Sequence, residues 1–481
     1  MSISNSLSNA LSGMTAASRM AEIVSSNLSN AMTDGYGRRT LDLAADSIGG
    51  RGGGVSIVGV NRMVDRGILA DRRLADAGVN NFELLANTMR SLQGVIGEAG
   101  SGDSISARIA ALETSLVNAT TDPSSQIRLA GVGNRLGELA GSLNAASDSI
   151  QSMRVDADKS IADQVDVLNT SLAQVEQLNT DITYSRNSGS DPSGLMDQRQ
   201  QVIDRIAAIV PIREMDRDGG QVALVTPSGA TLIDGRAREF GFVANPVITP
   251  DMTLASGGLS GLTLDGAAIG PDGIGALNAG SLGAAFRARD GELVHAQTNL
   301  DMIAADLVGR FQDPAVDPTL ATGDAGLLTD AGAAFDPLNT VGLAGRISVN
   351  AAIDPGQGGS ITTLRDGLNA MAQGPSGDAS LLQGLLSALS DQRVTVGNPA
   401  ALGASARAAG FEADLGERRL TYDSELGFAS ARWASFKEAE AAGGVDSDYE
   451  MQMLLRVEQA YSANARVIQT VESMMQTLME L

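Results

Sequence analysis

The sequence predicts a mainly α protein with a β-rich insert: terminal helices paired as a coiled coil, a helical middle domain, and a small β subdomain at the far end. Three observations carry this class. Apolar or small residues recur at alternating steps of three and four near both ends of the chain. The same period returns through much of the centre. It lapses after Pro211, where Gly, Thr and Pro take over up to about residue 280, and again in loop-rich stretches beyond 313.

Composition narrows what such a chain can do. It has 481 residues, enough for about three domains and a sizeable core. Lys and Arg number 34 against 57 Asp and Glu, a net charge of −23 that repels nucleic acid and anionic membrane surfaces. There is no cysteine, so neither a disulfide framework nor thiolate chemistry arises. A single histidine leaves little room for His-cluster metal sites or for Ser-His-Asp catalysis. No cofactor is expected and no catalytic residue is assigned. The composition points to a soluble, helix-rich, weakly aromatic chain whose function is not chemistry.

The start, MSISNSLSNALSGMTAASRM, lacks a positive n-region followed by an unbroken apolar stretch. No run reaches the roughly 18 apolar residues of a membrane span. On those rules alone the chain is read as cytoplasmic, although export routes without a cleaved apolar signal leave no such mark.

The first helix is read from Ile3, Leu7, Ala10, Met14, Ala17, Ala21, Val24, Leu28 and Ala31, a seam with a mean spacing of 3.5 held for four heptads. The last is read from Leu454, Val457, Tyr461, Asn464, Ile468, Val471, Met475 and Leu478. Beside it Met453, Ala460, Val467, Met474 and Leu481 form an outer apolar row at seven-residue intervals, wider than a two-stranded seam requires. Ser447 with Glu450 fits a capping box after the breaker Gly443-Gly444. Both segments are nearly uncharged: Arg19 and Glu22 balance in the first, Arg456, Glu458, Arg466 and Glu472 in the second. Helices so poor in charge are expected to bury more than one face. The N-terminal one, crowded with Ser, Ala and Asn, buries too little alone to offset its ordering entropy.

Between the ends, Gly49 to Gly54 reads as a flexible turn before a short strand, Val55 to Val60. It is not a phosphate loop, since no helix and no Gly-Lys-Ser/Thr follow. Phe82, Leu85, Met89, Leu92 and Ile96 mark a helix. Val132, Leu136, Leu139, Leu143, Ala146 and Ile150, then Ile161, Val165, Leu168, Leu172, Val175 and Ile182, mark two long helices within 124–185. Another is expected over 195–209, a hairpin over 221–234, helix again over 283–312, a strand at 346–350, and helices over 361–372, 378–392 and 401–440. Three Arg-Asp-Gly triplets, at Arg217, Arg289 and Arg365, read as turns. Asp156 with Asp158 and Asp446 with Asp448 lack the Gly and closing Glu of a calcium loop, and read as solvated carboxylates or helix N-terminal charges. His295 reads as a helix-edge residue.

The ends carry a resemblance. Ser26-Asn27-Leu28-Ser29-Asn30-Ala31-Met32-Thr33-Asp34-Gly35-Tyr36 resembles the Ser-Asn-Asn-(Ile/Leu)-Ala-Asn-x-x-Thr-x-Gly-Tyr signature of bacterial flagellar rod, hook and hook-associated proteins, departing from it at Ser29 and Met32. Gly444-Val445-Asp446 and the stretch from Glu458 to Ile468 look like the matching C-terminal helix. Inside, Gly194-Leu195-Met196-Asp197-Gln198-Arg199 and Gly280-Ser281-Leu282-Gly283 are similar to segments of the hook-associated protein 1 family. The stretch 313–400 matches little.

The resemblance implies a structural subunit, exported by the flagellar type III apparatus, that assembles at the distal end of the hook as the junction before the filament. Implied partners are the flagellar hook protein, hook-associated protein 3, copies of the chain itself and a cytoplasmic export chaperone, with no nucleic acid and no membrane span. The expected division is 1–35 plus 445–481 as a terminal coiled-coil inner domain, 36–215 plus 281–312 plus 361–444 as a discontinuous helical middle domain, and 216–280 plus 313–360 as a β-rich outer domain. The alternatives are another axial subunit, of hook or distal rod, or a secreted enzyme or adhesin carried on a flagellar scaffold.

Overall fold

The structure is a computed structural model and describes residues 3–48, 51–270, 274–395 and 398–480. Contacts group the chain into two compact units. Unit 1 is Met1–Asn80, Asp166–Phe240 and Phe428–Leu481; unit 2 is Asn81–Val165 and Gly241–Gly427. The expected class is the one adopted: long helices, small antiparallel sheets, and terminal helices packed together. The three-part division concerns layers of an assembly and is taken up below as a proposal.

Helix α1 runs Ile3–Ser29. It is followed by an antiparallel hairpin, β1 (Arg38–Ile48) and β2 (Arg51–Met63), with register shifts after Asp42 and Asp46. Only residues 55–60 of this ribbon were legible as strand, and Gly49 and Gly50 of the expected turn lie outside the described residues. Strand β1 leaves residues 42–47 all exposed, so it has no buried face to impose alternation on its sequence. The hairpin lies on α1. Gly54, at φ +100°, comes so close to Ser12 that a side chain there would collide with the helix, and Val55 N donates to Ser12 Oγ at 3.2 Å.

Helices α2 (Arg66–Ile96), α3 (Ile105–Thr121) and α4 (Gln126–Asn187) follow. Where two helices were expected within 124–185, α4 is a single helix of 62 residues. The apolar stripe lapses between Ile150 and Ile161, but its period does not. Arg154 and Asp158 occupy the missing positions, and both are fully buried. Helix α5 (Ser193–Ile209) matches the expected 195–209. Then β3 (Arg213–Asp216), β4 (Val222–Val225), β5 (Thr231–Asp234) and β6 (Arg236–Ala237) form a four-stranded antiparallel sheet in that order, containing the expected hairpin. The sheet is pinned to α4 by Asn179, which donates to Val222 O at 2.9 Å and accepts from Val222 N at 3.2 Å.

The chain continues with β7 (Phe240–Gly241), β8 (Thr263–Leu264) and β9 (Ala267–Ala268), one small sheet. Next come α6 (Gly280–Arg287), a π turn over Ala288–Glu292, and α7 (Leu293–Phe311). The triplet at Arg289 is therefore not a turn between elements but part of this π turn, which drives Arg289 into the interior. Its guanidinium is fully buried, holds Asp158 at 2.5 Å and Asp290 at 2.7 Å, and lies 4.8 Å from the Phe286 ring centre. This also corrects the reading of Asp158 as a solvated carboxylate. The triplets at Arg217 and Arg365 do end in positive-φ glycines, as turns do.

The rest of unit 2 holds β10 (Leu328–Asp330) paired antiparallel with β11 (Ile347–Val349), then α8 (Thr363–Asp366), α9 (Ser380–Ser390), β12 (Arg393–Thr395), β13 (Asn398–Leu402) and α10 (Ala404–Ala442), whose last turns belong to unit 1. Helix α8 is one turn long where 361–372 was expected, because Gly367 at φ +104° ends it. The core gathers the stripes of α2, α3, α4 and α7 around Leu92, Leu112, Leu139, Leu300 and Leu307. Arg310, fully buried, closes the C-terminus of α9 by donating to Ala388 O and, at 2.7 Å, to Asp391 O. Helix α11 (Ser447–Met479) ends the chain in unit 1.

Candidate functional site

The terminal seam forms. Helices α1 and α11 pack along one another and come close at Gly13, where an added Cβ would stand 2.7 Å from Asn464 Nδ2. Of the expected N-terminal positions, Ala10, Ala17 and Val24 are buried, Ile3, Met14, Ala21 and Leu28 half-buried, and Leu7 exposed. Ala31, half-buried, falls past the end of α1 in the turn that follows, so the seam is shorter than read. On α11, Val457 and Val471 are buried, Leu454, Asn464 and Ile468 half-buried, and Tyr461, Met475 and Leu478 exposed. In the outer row Met453 is half-buried and Ala460, Val467 and Met474 are exposed, while Leu481 lies outside the described residues.

The two helices differ in how they are covered. Helix α1 also buries Ile23 and Asn27, and its Ser12 and Asn27 bond to the hairpin. Thus α1 does bury more than one face, against an element that went largely unread. Among the described residues α11 has no such second cover: Val467 is 43 %, Met474 51 % and Leu478 60 % exposed.

Polar side chains fix the base of the seam. Asn27 is fully buried and treats the chain beyond the turn as a strand partner: its Nδ2 donates to Arg39 O and its Oδ1 accepts from Arg39 N, each at 2.9 Å. Tyr36 Oη donates to the same Oδ1 at 2.9 Å. Gly35, at φ +78°, makes the bend. Asp197 of α5 accepts from Gly37 N at 3.0 Å, Arg39 Nη2 at 2.8 Å and Arg62 Nε at 2.6 Å. The signature at 26–36 and the segment at 194–199 therefore meet in space, and Asp197 joins them.

The C-terminal helix is tied in by a second carboxylate. Glu450, 1 % exposed, accepts from Arg38 Nε at 2.7 Å, and the Arg38 guanidinium lies 4.8 Å from the Tyr449 ring centre. Burial works against the Arg38 charge, but Glu450 and Tyr449 outweigh it and hold the guanidinium above its ordinary pKa. The expected capping box does not start α11. Asp446 is the N-cap, accepting from Asp448 N at 2.9 Å and Tyr449 N at 3.1 Å, and Glu450 is given over to Arg38. Reading by apolar period missed Asn27, Arg38, Arg39, Asp197 and Glu450. One signal was available: Glu450 stands four residues before Leu454, so it extends the seam by one position as a carboxylate.

These groups position and pair the segments that carry them. His295 Nε2 lies 3.3 Å from Asp414 on an exposed helix surface. Among the described residues no group of three or more His, Cys, Asp or Glu could hold a metal ion, and no helix is long and apolar enough to cross a membrane.

The family model described as the flagellar hook-associated protein FlgK helical domain matches residues 89–326. Models of the flagella basal body rod protein and of the flagellar basal body rod FlgEFG protein C-terminal match residues 7–36 and 441–481. Flagellar hook-associated protein 1 of Salmonella typhimurium is 26 % identical over 325 residues, covering 64 % of this chain and 56 % of the relative. Its Escherichia coli counterpart is 26 % identical over 341 residues, covering 67 % and 59 %. The chain thus spans less than two thirds of the length of these relatives. A solved flagellar hook junction protein from Burkholderia pseudomallei superposes with a TM-score of 0.45 at 18 % identity, over 55 % of this chain and 47 % of that one.

Proposed function

Because this chain belongs to the flagellar hook-associated protein 1 family, we propose that it is a non-enzymatic structural subunit at the distal end of the hook, forming the junction from which the filament grows. The single observation that carries this reading is the uncovered apolar face of α11, with Val467, Met474, Met475 and Leu478 between 43 % and 60 % exposed on a helix whose other side is engaged by α1. A neighbouring subunit that covers this row gains the burial the lone chain lacks, so assembly and final ordering of the ends are one process. A contact between unlike patches of successive copies builds a helical tube instead of a closed dimer.

In this reading the assembly interface is the seam of α1 and α11 together with the outer row from Met453 to Met474. Residues 1–35 plus 445–481 line the inner layer, 36–215 plus 281–312 plus 361–444 form the middle, and 216–280 plus 313–360 face outward. The partners are the hook protein below, hook-associated protein 3 above, further copies alongside, and a cytoplasmic export chaperone before secretion.

Electron microscopy of flagella from a strain lacking the protein tests the reading: hooks without filaments and free flagellin in the medium are expected. Filaments of normal number would overturn it. Ile468→Asp should permit secretion and block stable junction assembly.

A further inference from the structure

Unit 1 holds a second polar feature, which shares Arg62 with the base of the seam. A cavity of about 90 Å³ is lined by Arg62, Arg66, Arg73 and Arg199, with Glu214 and Asp216 as the only acids in its wall. Four guanidinium groups around so small a space are unusual in a chain of net charge −23.

Three of the four have carboxylate partners. Arg62 holds Asp197, Arg66 holds Asp216, and Arg73 holds both Asp204 and Glu214 at 2.6 Å. Arg199 is the exception. It is 5 % exposed, and both of its hydrogen bonds leave from Nη1 and end on neutral oxygens, Asn179 Oδ1 at 2.8 Å and Gly220 O at 2.7 Å. The side chain lines the cavity, and neither Nε nor Nη2 makes a hydrogen bond within the described residues. Burial and the neighbouring Arg62, Arg186 and Arg66 push its pKa down to about 10, against the pull of Glu214. A buried cation whose own hydrogen bonds all end on neutral oxygens is costly, and a planar fork of N–H groups is the arrangement that takes an oxyanion two-handed.

We propose that this cavity binds one small oxyanion, with Arg199 as the buried anchor, Arg62 and Arg73 flanking it, and Arg66 on the exposed side. The shared chemistry is a carboxylate or phosphate group. It can come from a dissolved ion or from an Asp or Glu side chain of a second copy, of which this acidic chain offers many. The site stands whether or not the junction reading above does, since it needs no neighbour to exist.

Titration calorimetry of the full chain with inorganic phosphate, at ionic strength fixed with chloride, tests it. One saturable site is expected. Arg199→Met should weaken it by about tenfold or more, and Arg199→Lys should recover part of the loss. Because Arg199 also ties α5 to α4, Arg66→Gln serves as the second variant: its side chain is 66 % exposed, so the fold should be unaffected while binding falls several-fold. No saturable heat from the native chain, or equal binding by the native chain and both substituted variants, would overturn the proposal. Sedimentation in phosphate against chloride then separates the sources. Phosphate that disperses self-associated chain identifies a carboxylate of a second copy as the occupant; binding without any effect on association identifies the dissolved ion.

Discussion

Arg38 and Glu450 stand 412 positions apart in sequence and 2.7 Å apart in space. The pair joins the first residue of the hairpin to the first turn of the C-terminal helix, so it closes unit 1 at the point where both terminal helices begin to run together. Removing the carboxylate leaves Arg38 without its partner, although at 21 % side-chain exposure water can reach it. Glu450→Ala should therefore cost about 1–3 kcal/mol in denaturant unfolding. Glu450→Gln, which keeps an acceptor, should cost less. The alanine variant should also be cut faster by protease at Gly443-Gly444. Unchanged stability and cleavage would show that the packing of α1 and α11 alone holds the end in place.

Gly13 and Asn464 offer a test of a close approach within the seam. Alanine in a helix interior is favoured over glycine by about 0.5–1 kcal/mol. Here the gain meets a collision with the end of the Asn464 side chain, at 2.7 Å from the new Cβ. That side chain can swing, at the expense of its 3.0 Å bond to Ala460 O. The expected result is a near-neutral Gly13→Ala and a double variant with Asn464→Ala that recovers the helix gain, with a coupling of about 0.5 kcal/mol or more. Additive effects would mean that the helices do not meet at this point.

Most of the helices were legible because each presents an apolar stripe to a core. What escaped was built from polar residues. Helix α4 reads as two because Arg154 and Asp158 carry its stripe across the gap, and no count of apolar residues registers a buried guanidinium held by carbonyl oxygens or a buried carboxylate held by Arg289. Strand β1 is silent because residues 42–47 are exposed on both faces. Asn27, Asp197 and Glu450 sit at the heart of the site, yet their partners lie up to 412 residues away, which periodicity cannot reach. The signature at 26–36 did locate the elbow, and the structure supplies its physical content: Asn27 and Tyr36 shape the turn, and Gly35 bends it.

Asp76 carries a pH signature. Burial raises its pKa and nearby Asp204 adds to the rise, while Arg72 and the hydrogen bond from Asn80 oppose it. A carboxyl whose pKa is higher folded than unfolded binds its proton more tightly in the native state. Its contribution to stability therefore grows as pH falls through the interval between the two values, and above the folded value it is a standing cost. Asp76→Asn should stabilise unit 1 at neutral pH, and the advantage over the native chain should shrink as pH approaches 4. Urea unfolding at pH 7 and pH 4 measures the difference. An advantage that is constant with pH would place the effect outside this carboxyl.

Val467 and Val471 separate the fold from its use. They are four residues apart on α11, yet Val471 is 6 % exposed and Val467 43 %. Asp at 471 puts a charge into the contact with α1 and should destabilise the lone chain by about 2–5 kcal/mol. Asp at 467 keeps its charge within reach of solvent in the lone chain, so unfolding of the protein should move by no more than about 0.5 kcal/mol. In an assembly the same charge would be driven between subunits, where a desolvated and unpaired carboxylate is not tolerated. On the proposed junction reading, Val467→Asp is therefore expected to be exported and folded but to leave hooks without filaments. If cells carrying Val467→Asp bear normal filaments, the exposed row is solvent surface in the flagellum too, and assembly must rest on the hairpin or on the outer parts of the chain.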